Sequence, residues 1–230
     1  MKLFQCSDNC HLNEVLKTSA RQSISLIVLL LATILIVPSI AFAEVEKEYY
    51  PSGKLKTERN FINGKVEGIG KLYYESGKLW AEMNFKKGKL EGIFKDYYKS
   101  GELKREANYK NGKWDGIFKK YSESGKLKAE TNYKNNKRDG IGKYYYESGE
   151  LRRETNYKNG KREGIGKFYY KNGKLEEEVN YENSKREGIT KRYYKNGEYK
   201  YIDTYKSGKK INRKAYTEEG QLKFDQDYPE

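Results

Sequence analysis

Three side chains with the chemistry of metal ligands or nucleophiles lie at the very start of this 230-residue chain: Cys6, Cys10 and His11. Their C-x-x-x-C-H spacing is compatible with metal ligation. No cysteine or histidine follows. From residue 44 onward, no Ser-His or Cys-His nucleophile system can be assembled, and no thiol can bind a metal or form a disulfide. Carboxylates are plentiful. Glutamate recurs at Glu58, Glu82, Glu106, Glu130, Glu154 and Glu178. A two-carboxylate glycosidase needs one pair whose surroundings push two pKa values apart. Glutamates repeated in near-identical settings do not supply such a pair. The fragment Glu67-Gly68-Ile69-Gly70 resembles part of a glycine-rich loop, but it recurs inside expected strands and reads as structural. The expectation is therefore a chain with no catalytic residues, no cofactor and no metal site.

The glutamates are set by a repeat. Glycine recurs at Gly53, Gly77, Gly101, Gly125, Gly149, Gly173 and Gly197, each step being 24 residues, and Gly220 follows out of phase. A fixed period in this range marks a repeat array. A second turn lies inside each unit. Asn63-Gly64, Asn111-Gly112 and Asn159-Gly160 favour type I′ hairpins, and Lys87-Gly88, Asn135-Asn136, Asn183-Ser184 and Ser207-Gly208 are weaker versions. About seven or eight residues separate the turns, which is strand length and too short for an ordinary helix. The fold class is all-β: an elongated antiparallel meander of hairpins forming a single twisted sheet. About sixteen strands at about 4.8 Å would span on the order of 75 Å.

In the clean copy, Gly149 to Asn172, a two-residue loop at Asn159-Gly160 places Tyr157 opposite Arg162, Leu151 opposite Phe168 and Glu154 opposite Ile165. Alternation then puts Leu151, Thr155, Tyr157, Gly164, Gly166, Phe168 and Tyr170 on one face. The other face carries Glu154, Asn156, Ile165, Lys167 and Tyr169. Gly164 and Gly166 leave room for neighbouring tyrosine rings to lie across the backbone. Lys71, Lys95, Lys119, Lys143, Lys167 and Lys191 form a lysine row diagonal to the glutamates. Tyr73, Tyr97, Tyr121, Tyr145, Tyr169 and Tyr193 form a tyrosine row beside it. These two rows are the candidate binding face. The alternative for the charges is a solvated ion-pair ladder, and for the tyrosines packing against glycine gaps.

The pattern YY-x-(S/N)-G-K-L-x-x-E-x-N-Y-x-N-G-K-x-(E/D)-G-I-x-K-x-Y, running from about Tyr49 to Tyr216, resembles MORN-repeat variants. It is most similar to the bacterial antitoxin group of the YwqK type. The resemblance implies a hairpin array used for binding, with no common catalytic set. The antitoxin label implies a toxin as partner, which no residue here encodes.

Residues 1–43 form a leader. Ser25 to Ala43 is mostly apolar, follows Lys2, Lys17 and Arg21, and ends in Ala41-Phe42-Ala43 before Glu44. A positive start, a short apolar run and an A-x-A site read as a secretory signal peptide, with Ala41 and Ala43 at the cleavage site. A membrane anchor over residues 25–43 is the alternative. The cysteines precede the apolar run, so no lipoprotein anchor is expected. The array then occupies 44–230, with about seven repeats and an irregular C-terminal cap. EVEKEYY (44–50) looks like a second strand missing its first partner. Phe224 to Glu230 reads as a last edge strand whose lysine and aspartates discourage edge-to-edge pairing. Export to the periplasm, cell surface or exterior sits awkwardly with a cytoplasmic antitoxin.

Charged residues make up 35% of the chain, which taken alone suggests disorder. The 23 tyrosines argue for folding, since each offers apolar area with a polar tip. Net charge is +14. Without the leader's three Lys or Arg and two Asp or Glu it is +13 (44 − 31). Lysine and arginine cluster beside the Asn-Gly turns, as at Lys158, Lys161 and Arg162, so one edge is expected to be a basic rim. The first functional expectation is a protein-binding scaffold, with a toxin as one class of partner. The second is adhesion to an anionic lipid or a cell-wall carbohydrate polymer, and the third a purely structural array. No specific nucleic acid is expected, and the oligomeric state is open.

Overall fold

The computed structural model describes residues 42–229. The leader readings at Cys6, Cys10, His11 and Ala41 lie outside the described residues, whereas Ala43 opens the first strand. The strands are β1 (Ala43–Tyr49), β2 (Leu55–Ile62), β3 (Lys65–Val66), β4 (Gly68–Tyr73), β5 (Leu79–Lys86), β6 (Lys89–Tyr97), β7 (Leu103–Lys110), β8 (Lys113–Tyr121) and β9 (Leu127–Lys134). They continue as β10 (Lys137–Tyr145), β11 (Leu151–Lys158), β12 (Lys161–Tyr169), β13 (Leu175–Glu182), β14 (Lys185–Tyr193), β15 (Tyr199–Lys206), β16 (Lys209–Tyr216) and β17 (Leu222–Asp227). β1 pairs with β2, and β2 with both β3 and β4. From β4 to β17 each strand pairs antiparallel with the next, giving one open 17-stranded meander.

Both kinds of turn form where the sequence places them. At Asn159-Gly160 both residues have positive φ, 51° and 88°, as a type I′ turn requires. The weaker versions adopt the same geometry, including Asn135-Asn136 and Asn183-Ser184, which lack glycine. There the side chain helps: the Asn136 Oδ1 accepts the Trp114 N–H at 2.7 Å, and the Ser184 Oγ accepts the Arg162 N–H at 2.9 Å. At the other end, the Gly149 N–H donates to the Tyr146 carbonyl at 3.0 Å, and the Tyr146 N–H to the Glu150 carbonyl at 2.9 Å.

The register between the turns departs from simple alternation. Tyr157 faces Arg162 as expected, but Thr155 then faces Gly166, Glu154 faces Lys167 and Arg153 faces Phe168. Two extra residues of β12 are accommodated opposite Asn156, a bulge in which Gly164 has φ 70°. Glu154 is thus directly opposite Lys167, neither opposite Ile165 nor diagonal to the lysine. A further shift near Tyr145 pairs Leu151 with that tyrosine of the preceding repeat, which moves Leu151 to the Glu/Lys face and away from Phe168. Gly164 serves the bulge, not a ring. Gly166 does lie under a ring, since an added Cβ would stand 3.1 Å from Tyr181 Cε2.

The face of Thr155 and Tyr157 is the buried one. Tyr157 and Tyr181 are each 5% exposed, and Val179 is fully buried. Volumes alternate along this face. Phe94 and Phe118 flank Ala107, whereas Gly142 faces Thr131 and Thr155. Trp114 packs with Tyr109, Phe118 and Tyr133 at centroid distances of 5.0–6.4 Å. Arg138, Arg162 and Arg186 take the equivalent position later and stack over Tyr157, Tyr181 and Tyr205 at 5.2–5.3 Å. A guanidinium–ring contact here takes the place of the edge-on contact between Trp114 and Tyr133.

A second set of tyrosines joins successive repeats. The hydroxyls of Tyr50, Tyr74, Tyr98, Tyr146, Tyr170 and Tyr194 donate to the carbonyls of Tyr73, Tyr97, Tyr121, Tyr169, Tyr193 and Tyr216 at 2.7–3.0 Å. Ser122 interrupts the series. Tyr98→Phe should lower stability by about 1 kcal/mol in urea denaturation, since it leaves the Tyr121 carbonyl without this donor. Gly166→Ala should cost about 1–3 kcal/mol by pressing on Tyr181. An unchanged midpoint for Gly166→Ala would show that the ring is free to move aside.

Candidate functional site: a striped face and a lysine edge

The opposite face of the sheet carries three parallel strips. In the middle, glutamate and lysine alternate as directly opposed neighbours from Glu58–Lys71 through Glu178–Lys191. Each lysine from Lys71 to Lys167 therefore stands between two carboxylates, whereas Lys191 stands between Glu178 and Ile202. Lys95 reaches Glu106 at 3.6 Å and Lys119 reaches Glu130 at 3.8 Å. These side chains are about one-third exposed, so each pair contributes roughly 0.2–1 kcal/mol. The lysine row is thus locally neutralised.

On one side of the ladder lie the tyrosines. Tyr73, Tyr97, Tyr121, Tyr145 and Tyr169 face Leu79, Leu103, Leu127, Leu151 and Leu175, and Tyr193 faces Tyr199. All six are partly buried. The Tyr169 hydroxyl lies 3.3 Å from Glu154 Oε1, and burial, then the Glu154 carboxylate, push its pKa up. Burial, then Tyr199, push Tyr193 up as well. Both phenols are held neutral, as apolar rings with a hydrogen-bonding tip.

On the other side runs a strip that sequence reasoning placed on this face without assigning it a role: Ile69, Ile93, Ile117, Ile141, Ile165 and Ile189. Their exposure lies between 42% and 55%, high for isoleucine in a strand. Asparagine holds the strip in place, with Asn60 Nδ2 donating to the Ile69 carbonyl at 3.2 Å and Asn132 Nδ2 to the Ile141 carbonyl at 3.4 Å. The signal was present in the recurring Gly-Ile of the repeat. Alternation showed its face, and only the register showed that no neighbour covers it.

The type I′ edge has its own geometry. Lysines oppose one another beside the turns, as Lys86–Lys89, Lys110–Lys113, Lys134–Lys137, Lys158–Lys161 and Lys206–Lys209. Like charges directly opposed are destabilising. Between them an open groove of about 710 Å³ is lined by Lys134, Lys137, Lys158, Asp139 and Glu163 among others. The acidic residues already have partners. Glu163 accepts the Asn183 N–H at 3.0 Å, and Asp139 accepts the Asn159 N–H at 3.1 Å. The same contact joins Glu67 to the Lys87 N–H at 2.7 Å, so the Glu67-Gly68-Ile69-Gly70 fragment is a bulge and a turn clamp. Among the described residues, no cluster of three or more His, Cys, Asp or Glu could hold a metal ion.

Lys119→Glu would place three carboxylates in line with Glu106 and Glu130. It should lower stability by about 1 kcal/mol at low ionic strength, with part of the loss recovered in high salt. Denaturation midpoints at two salt concentrations check this.

Comparison with known families gives one match, and it follows the repeat. The model of the MORN repeat variant matches seven times, at residues 45–63, 66–87, 90–111, 114–135, 138–159, 162–183 and 186–207. Each match ends at a type I′ turn. A search of curated proteins finds no match. The seven matches cover well over half of the chain, which therefore belongs to the MORN-repeat-variant family.

Proposed function

We propose that this protein is an exported, non-catalytic scaffold that binds a protein partner across the striped face. The observation that carries this reading is the exposed isoleucine strip, Ile69 to Ile189, running beside the tyrosine and Glu/Lys strips. Covering the exposed half of one isoleucine contributes on the order of 1 kcal/mol. Apolar and aromatic strips flanking neutralised charges suit a protein surface better than a polyanion. A toxin is one class of partner, and the antitoxin or immunity role is the form the reading then takes. Export rests on the apolar leader with Ala41 and Ala43.

A pull-down from lysate and envelope fractions of the source organism tests the proposal. A single stoichiometric protein should be recovered by the native chain and lost with Ile141→Ser plus Ile165→Ser, which leave the buried face intact. Equal recovery by both would move the interface elsewhere.

One observation favours a second reading, adhesion to an anionic lipid or cell-wall polymer. The opposed lysine pairs cost stability, and an anion lying along that edge would offset the cost. Salt-sensitive binding to anionic vesicles or wall polymer that is lost with Lys134→Glu plus Lys158→Glu would favour it. Binding indifferent to salt would exclude it.

A further inference from the structure

The two ends of the sheet are complementary unfinished copies of the same interface. β1 is a strand of the kind that follows a type I′ turn. Lys47 holds the ladder position of Lys71, and Val45 that of Ile69. β17 is of the other kind, with Leu222 in the position of Leu175 and Asp225 in that of Glu178. Inside the array each strand of either kind is flanked by strands of the opposite kind. β1 has β2 on one side, and β17 has β16 on one side. Among the described residues, neither outer edge has a paired strand.

The side chains show the same incompleteness. The lysines from Lys71 to Lys167 have two opposed acids, whereas Lys47, among the described residues, faces Glu58 alone, at 3.3 Å. Among the described residues Asp225 has Lys214 as its ion-pair partner, at 3.1 Å. Tyr49 and Leu222 are 58% and 56% exposed, whereas their repeat counterparts Tyr73 and Leu175 are partly buried by a neighbouring strand. Phe224 is 44% exposed.

We propose that copies of this chain associate head to tail, β17 of one copy adding to β1 of the next and continuing the sheet. The repeat register dictates the pairing: Asp225 opposite Lys47, Phe224 opposite Glu48 and Gln226 opposite Glu46, as Glu154, Arg153 and Thr155 face Lys167, Phe168 and Gly166. The Glu/Lys ladder would run on across the junction. Strand addition supplies main-chain hydrogen bonds, and the opposed charges select the register. The contact joins two different surfaces, so it need not close and can propagate. The charges on β17 match β1, where the ladder register sets Asp225 against Lys47.

Cross-linking between differently labelled copies tests this. In the full chain carrying Cys6→Ser and Cys10→Ser, Lys47→Cys is made in one preparation and Asp225→Cys in another. Both positions are exposed and lie at sheet edges, so folding should be retained, which circular dichroism verifies. Under mild oxidation the mixture should form a thiol-reversible dimer that neither preparation forms alone. Association through the leader would act equally in all three samples. No excess of dimer in the mixture would overturn the proposal, and so would equal cross-linking within either preparation. With native cysteines retained, Lys47→Glu should reduce assembly in sedimentation, and Asp225→Lys in the same chain should restore it. Partner binding through Ile141 and Ile165 is read separately, so either idea can fail without the other.

Discussion

Among the described residues the single sheet has no second layer to press against, so its side chains bury one another along the sheet. The rest of this structure follows from that constraint. Rings lie flat over the neighbouring backbone, as Tyr181 lies over Gly166, and guanidinium groups lie over rings, as Arg162 lies over Tyr181. Threonine, alanine and glycine alternate with larger neighbours to keep the layer thin and filled. Tyrosine suits the task because its ring can be covered while its hydroxyl reaches a carbonyl in the next repeat.

Repetition creates a second problem, because identical repeats could pair out of order or slip by a whole unit. One strip on the buried face removes that ambiguity by not repeating. Asp96 is held by Arg105, Arg153 lies 4.0 Å from the Tyr144 ring, and Glu177 is bound by Arg192 at 2.8 Å. Near the C-terminal end the neighbouring strip joins in: Asp203 binds Arg213 at 2.6 and 2.8 Å, and Tyr201 lies against the same guanidinium. Each of these contacts exists only between particular neighbours. Buried charges are costly when unpaired, so a shifted register is penalised more than the correct one is stabilised.

The division of labour between faces follows. The buried face holds the array together and is individual to each repeat. The striped face is nearly the same in every repeat, because the Ile, Glu/Lys and Tyr strips stay constant. A surface that repeats with the fold suits a partner that is itself extended, or a contact made at several repeats at once.

The turns, the strand count apart from the short β3 split from β4, and the shared face of Glu154, Lys167 and Tyr169 were legible in the sequence. Two consecutive positive φ values or a left-handed glycine are local requirements, and Asn-Gly or Ser-Gly announces them without reference to the rest of the chain. Alternation likewise assigns a face once a strand is known. The bulge opposite Asn156 was not legible, and with it went the true partner of Glu154; nor was the separate shift near Tyr145 that sets Leu151 opposite that tyrosine. Alternation carries no mark for two extra residues, and the glycine that permits them, Gly164, looks the same as Gly166, which sits beneath a ring. The tyrosine hydroxyl series and the carboxylates clamping the next turn join residues 20 to 23 positions apart. Only tertiary structure decided those contacts, because they exist only after neighbouring hairpins have docked in one register.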